Sequence, residues 1–317
     1  MKQSRVLTRN QKRNIFFGVM VIVPILLFVL FYGVINVNTI LLAFKKYEYV
    51  EGDGLGYKIS FAGFENFAIV IKMLAYNGNW KMVTNSLTLW AFRLVIGLSV
   101  SVIFSYYVYK KVLGAGFFRV VLFLPNVISN LIMVYLFKFL VNNAMQKVFD
   151  IEMGLLVNPN TQFATIMFFN LWLGFAGQTL MLTSSMSSIN ESIGESAQID
   201  GVSSIKELFY ITIPMIFPTL STLMVISLAE MFVDQMSLVT FFDIYSIPSQ
   251  IRTVGYYLFV QAYESEVIPN TSWLSNPDHG KLSYSQLSAF GVMVSAIIIP
   301  LSFGVRKLLA IASPSEE

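Results

Sequence analysis

Six predominantly apolar stretches alternate with polar segments along the 317-residue chain: Phe16–Asn36, Ser86–Val108, Val120–Leu140, Phe163–Leu182, Met215–Leu238 and Leu287–Phe303. Each is near the length of about 20 residues that a helix needs to cross the hydrocarbon core. In lipid the backbone has no water to bond, so each stretch must satisfy its own N–H and C=O groups as a helix. The pattern predicts an all-α, polytopic membrane protein with six transmembrane helices. Composition agrees: 56% of residues are hydrophobic and 12% charged, against about 25% charged in soluble domains. Mean hydropathy is +0.67.

Lys and Arg near helix ends set the expected orientation. Lys2, Arg5, Arg9, Lys12 and Arg13 precede the first stretch. With them inside, Lys110, Lys111, Arg119, Lys206, Arg306 and Lys307 also fall on the cytoplasmic side, in shorter segments than the external loops. The expected layout is a cytoplasmic N-terminus (1–15), a first helix with an external loop (16–85), a core membrane domain (86–305) and a cytoplasmic C-terminus (306–317). The basic start resembles a signal peptide, but the apolar run is long for one and no A-x-A-like cleavage site follows.

The chain has no cysteine and one histidine, His279. This excludes thiolate chemistry and a His-based metal cluster, and no G-x-x-x-x-G-K-[ST] phosphate loop is present. No catalytic residue, metal site or bound cofactor is expected, and the small net charge of +3 argues against nucleic acid as a partner.

The cytoplasmic segment 184–220 is too long for a plain connector. Ser192-Ile-Gly-Glu195 and Ser204-Ile-Lys-Glu207 each read as a capping box, with the turn signal Asp200-Gly201 between them. The prediction is helix, turn, helix, leading through Pro214 into the fifth span, with Pro218 kinking or restarting the helix. Spacing alone leaves two readings open: a rigid element seated in another protein, or an interfacial hairpin without a partner.

Glu195-Ser196-Ala197-Gln198-Ile199-Asp200-Gly201, followed by Phe209, Ile211, Ile213, Pro214 and Pro218, resembles the EAA loop of binding-protein-dependent ABC importer permeases. Ser196 and Val202 stand where that pattern has alanine. Further likeness to the carbohydrate branch lies in Phe61-Ala-Gly-Phe-Glu-Asn-Phe67, in Asn85-Ser86-Leu87, and in Phe118-Arg119 with Leu124-Pro125. Where that branch often has Gly-Gly-Pro, this chain has Phe242–Pro248 instead. The resemblance implies a type I importer permease fold in a bacterial cytoplasmic membrane. It implies that Glu195, Ser196, Ala197, Asp200, Gly201, Phe209, Pro214 and Pro218 dock an ATPase subunit. It further implies a second, different permease chain, two ATPase subunits that bind ATP and Mg, and an external solute-binding lipoprotein or periplasmic protein. The cargo would be a carbohydrate, an oligosaccharide by preference.

Charges within spans are costly and face a cavity or a partner. Arg93, Lys138, Glu230 and Asp234 stand out. Glu230 and Asp234, four apart, would share one face of the fifth helix; they would line a pathway or pair with Arg93. Asn170, Trp172, Gln178 and Gln235 suit sugar hydroxyls and ring faces, and also helix packing. Lys138 is expected to snorkel outward. Gly97, Ser101 and Ser105 form a small face suited to close helix packing. Two alternatives stay open: a permease for a non-sugar solute, and a carrier driven by an ion gradient.

Overall fold

The computed structural model describes residues 8–49, 57–75, 78–150, 152–242, 246–267 and 282–312. Lys2, Arg5, His279, and 243–245 of the Phe242–Pro248 segment lie outside them. The chain divides into two compact units, Met1–Met73 with Ser265–Met293, and Leu74–Glu264 with Val294–Glu317.

In the first unit a single helix, α1, runs from Arg9 to Ala43. Thr8 starts it with a capping box: its hydroxyl accepts from the Gln11 N–H and the Gln11 side chain accepts from the Thr8 N–H. Its side chains are exposed from Thr8 to Leu41, as a helix apolar all round can be only in lipid. A hairpin follows, β1 (Lys45–Tyr49) antiparallel to β2 (Tyr57–Phe61), with Lys45 opposite Phe61. It is a small exception to the all-α expectation. The next helix, α2 (Glu65–Ala75), is tied back by Asn66. Its buried amide donates to the carbonyls of Ala43 at 2.8 Å and Lys45 at 2.9 Å. That bond gives the asparagine of the Phe61–Phe67 segment a purely structural job.

The second unit holds α3 (Trp80–Tyr109), α4 (Ala115–Val127), α5 (Asn130–Phe149) and α6 (Pro159–Ser187). After them come α7 (Glu191–Ile199), α8 (Ser204–Met215), α9 (Phe217–Glu230), α10 (Leu238–Phe241) and α11 (Val254–Val267). The final helix, α12 (Tyr284–Ala312), belongs partly to each unit, and the unit boundaries also fall within the last turns of α2 and α11. Ser101 and Ser105 on the small face of α3 are fully buried. The Ser101 hydroxyl donates to Gln178 Oε1 at 3.2 Å and the Ser105 hydroxyl to the Thr179 carbonyl at 3.1 Å, both on α6. One core lies between α5, α6 and α10, where the rings of Phe137 and Phe241 each lie 4.9 Å from Phe169.

Four described helices are long and apolar enough to cross a membrane: α1, α3, α6 and α12. The third and fifth predicted spans are bent pairs instead. Helices α4 and α5 meet at 106°, and α8 and α9 at 71°. The described spans therefore number four, or up to six if each bent pair counts as one. At the first bend Ile128 and Ser129 adopt extended backbone. At the second, the chain restarts at Phe217 with Pro218 in the first turn, where a missing N–H costs nothing.

The coupling segment and the membrane charge cluster

Helix, turn and helix follow α6 as the sequence predicts, but the caps differ. The N-cap of α7 is Asn190, whose side chain accepts from the Ser192 N–H at 3.1 Å. The helix thus starts before Ser192, which sits in its first turn. In α8 the cap position is Ser203, and its side chain makes no capping bond. Glu207 does not reach back to a cap; it turns inward and pairs with Lys110.

At the C-terminal end of α7, Gly201 adopts φ +69°, the left-handed conformation that suits glycine. Its N–H donates to the Gln198 carbonyl at 3.1 Å, and the Val202 N–H donates to the Ala197 carbonyl at 2.9 Å. These two bonds make a Schellman cap, which satisfies carbonyls that the helix end would leave orphaned. Ala197 is buried beneath them. Glu195, Ser196, Asp200 and Gly201 are exposed, and so are Phe209 and Pro218, whereas Pro214 is half-buried. Ile199, Ile205 and Tyr210 are also exposed, at 86%, 72% and 79%. Beneath this face Leu208, Ile216 and Leu220 pack with Leu98, Val102 and Tyr106 of α3 and with Leu182 and Met186 of α6. The segment is therefore packed on an apolar underside and presents a mixed outer face, in which Ile199, Ile205, Phe209 and Tyr210 stand among Glu195, Ser196 and Asp200.

A second feature lies around Arg93. Its guanidinium pairs with Asp234 and lies 3.6 Å from Glu230. The two acids do not share a helical face, which corrects the sequence expectation. Helix α9 ends at Glu230, and Asp234 lies in the turn beyond it. Asp234 also accepts from the Met236 N–H at 2.8 Å. Met236 and Ser237 both have positive φ, +56° and +55°.

The irregular stretch from Met231 to Ser237 is held by side chains. Asn170 donates to the Met236 carbonyl at 3.1 Å and Thr253 to the Asp234 carbonyl at 3.3 Å. Non-helical backbone at membrane depth is tolerated only where protein or a wet cavity supplies such partners. Gly255 completes the fit: a Cβ there would fall 2.4 Å from the Val233 carbonyl oxygen and 2.6 Å from that of Asp234. Gly255→Ala is expected to lower stability by about 1–2 kcal/mol through overpacking, read as a lower midpoint in thermal unfolding of the detergent-solubilised chain.

The remaining polar residues separate. Trp172 packs on the Phe137 and Phe169 rings, and Gln178 accepts from Ser101. Gln235 is half-buried in the turn after α9. Lys138 does not snorkel outward; its ammonium donates to the Phe241 carbonyl at 3.0 Å. Arg93, Glu230 and Asp234 line a cavity with Trp90, Ser227 and Thr253, residues that sequence reasoning passed over. Its volume is about 20 Å³, room for one water molecule and not for a sugar ring. Ser86 closes one side, and Asn85 next to it fastens the same turn of α3. Asn85 donates to the Gln250 and Arg252 carbonyls at 2.8 and 2.9 Å, and the Val254 N–H donates to Ser86 at 3.0 Å. Among the described residues no group of His, Cys, Asp and Glu could hold a metal.

The helices, their bends and the exposed helix–turn–helix segment together define the fold. It superposes with a TM-score of 0.72 and 18% identity on a chain of a bacterial ABC transporter involved in the import of the acidic polysaccharide alginate, covering 96% of this chain and 99% of that one. A chain of bacterial alginate ABC transporter, crystallised in complex with its alginate pentasaccharide-bound periplasmic protein, matches with a TM-score of 0.70 and 20% identity over 94% of each.

Among curated proteins, the chain is 26% identical over 189 residues to the multiple sugar-binding transport system permease protein MsmF of Streptococcus mutans, covering 57% of this chain and 64% of that protein. It is 27% identical over 195 residues to the sn-glycerol-3-phosphate transport system permease protein UgpA of Shigella dysenteriae, covering 59% and 65%. It is 26% identical over 157 residues to the maltose/maltodextrin transport system permease protein MalF of Salmonella typhimurium, covering 47% and 30%. The matches thus span under two thirds of these relatives' lengths. No protein-family model matches the chain. The resemblance to carbohydrate ABC importer permeases read from the motifs is borne out by the relatives and the fold.

Proposed function

We propose that this chain is one permease subunit of an ATP-driven importer, forming half of the translocation pathway for a carbohydrate, in preference an oligosaccharide. An external solute-binding protein delivers the cargo, and a second permease chain completes the pathway. ATPase subunits dock on Glu195–Pro218, bind ATP and Mg, and drive alternating access; this chain itself catalyses nothing. With each bent pair counted as one span, the six spans leave both termini on the same side, and the Lys and Arg residues flanking the helices support the cytoplasm of a bacterial cell as that side. The observation that carries the reading is the Gly201-capped segment with exposed apolar side chains at Ile199, Ile205, Phe209 and Tyr210, within a fold shared with the alginate transporter chains. The carrier reading draws no support from Glu230 and Asp234, because Arg93 already neutralises much of their charge.

The test is co-purification of the tagged chain, expressed in its native host, with ATPase subunits. Ile205→Asp, which puts a charge on the exposed face without touching the core, is expected to leave the chain in the membrane. It should reduce ATPase retention about tenfold, the scale of one interfacial hot spot. Undiminished retention would place the docking face elsewhere. Uptake in proteoliposomes, tested with a panel of maltotriose, raffinose, glycerol 3-phosphate and alginate trisaccharide, identifies the cargo class.

A further inference from the structure

We infer that the ion pair between Lys110 and Glu207 is a latch that passes movement of the coupling segment to α3; the inference rests on the transport reading above. Among the described residues Glu207 is the only fully buried carboxylate, with 4% of its surface exposed. It sits in α8, on the buried inner side of the segment and away from the exposed residues proposed to dock the ATPase. Its partner, Lys110, caps the C-terminal end of α3, where the helix dipole favours a cation. The Lys110 ammonium lies 5.7 Å from the ring centroids of both Tyr106 and Tyr109, so aromatic walls shield the pair and strengthen its attraction. Helix α7 passes close by: a Cβ on Gly194 would lie 3.8 Å from the Glu207 carboxylate. One carboxylate therefore meets α3, α7 and α8 together.

Toward α3 the junction is otherwise mostly apolar, formed by Leu208, Ile216 and Leu220 against Val102 and the Tyr106 ring, while the Ser185–Thr219 hydrogen bond at 2.8 Å ties the segment to α6. Apolar contact is non-directional and permits sliding. The ion pair is directional and sets the register between segment and span. Stability alone is a poor reason to keep it, because a buried pair often contributes no more than a well-packed apolar replacement. Lys110 and Glu207 are thus positioning residues, acting on α3 and not on cargo.

The experiment uses proteoliposomes holding the full transporter: this chain, the partner permease, the ATPase subunits and the solute-binding protein. The probe is maltotriose, or the panel sugar that the unaltered complex imports. Glu207→Gln and Lys110→Met are expected to keep the ATPase subunits and their hydrolysis. Sugar imported per ATP should fall about tenfold, the usual scale of coupling between sites. The swap of Lys110→Glu with Glu207→Lys should recover most of that ratio. Glu207→Asp, which keeps the charge but shortens the reach, should fall between.

An unchanged sugar-to-ATP ratio in the single variants, or a swap no better than them, overturns the latch. Where the single variants do not reach the membrane, an unchanged ratio in Glu207→Asp overturns it equally. An unaltered complex that retains no ATPase subunit counts against the transport reading instead.

Discussion

Replacing Asp234 with alanine is expected to cost about 2–3 kcal/mol, because it leaves the Arg93 guanidinium without its main partner. Removing one member of a wholly buried pair costs about 3–5 kcal/mol; the smaller figure reflects a site where the Asp234 side chain is still 33% exposed. The loss has two parts. Arg93 keeps only Glu230, at 3.6 Å and half-exposed, and the Met236 N–H loses its acceptor. With that acceptor gone, the left-handed turn at Met236–Ser237 keeps Asn170 on the Met236 carbonyl but loses one of the side chains that hold it. Removing both charges, as in Arg93→Met with Asp234→Asn, is expected to cost less than Asp234→Ala alone. Glu230→Gln should shift the unfolding midpoint little. Thermal unfolding of the four purified chains decides the matter. A double variant less stable than the single would show that the pair does not govern this site.

Gly201→Val is expected to abolish ATP-coupled uptake while the membrane helices persist. At φ +69° a β-branched side chain costs about 1–2 kcal/mol, more than a short surface helix withstands. The final turn of α7 would open, and the bonds from Gly201 to Gln198 and from Val202 to Ala197 would be lost. Glu195, Ser196 and Asp200 would then no longer present one surface. Gly201→Asn is the informative control, since asparagine tolerates the left-handed region; it should keep most of the uptake. Equal loss in both variants would point to a side chain clashing with a partner. Normal uptake with valine would remove the docking role.

Much of this was legible in the chain. The spacing of apolar runs located the four unbroken spans, and Asp200-Gly201 marked the turn between α7 and α8. What the sequence hid had physical causes. Ser192 and Asn190 are both good N-caps, and only the path of the chain after α6 chooses between them. The apolar run continues past Glu230, yet the helix does not. Met231, Phe232, Met236 and Leu238 are buried by neighbouring protein, and a buried irregular turn is as apolar as a buried helix. The partner of Arg93 was anticipated as one of two readings, but no local pattern could reveal Lys110 beside Glu207. That pair is made by α3 meeting a segment far along the chain.

Helix α3 carries a π-helical turn over Arg93–Gly97, and this makes its length as important as its composition. Such a turn holds one residue more than an α-helical turn, and each residue advances a helix by about 100°. The wider turn absorbs that residue, so deleting one there would restore a regular helix with both halves in phase, whereas straightening the turn with the residue kept would rotate one half against the other by about 100°. Either Asn85 and Ser86 would swing away from the Gln250–Val254 backbone, or Ser101 and Ser105 would leave α6. The wide turn keeps two fixed rows of contacts in phase. A one-residue gap within that stretch is therefore the length change α3 tolerates best, while a gap in its regular turns changes which surface each row addresses.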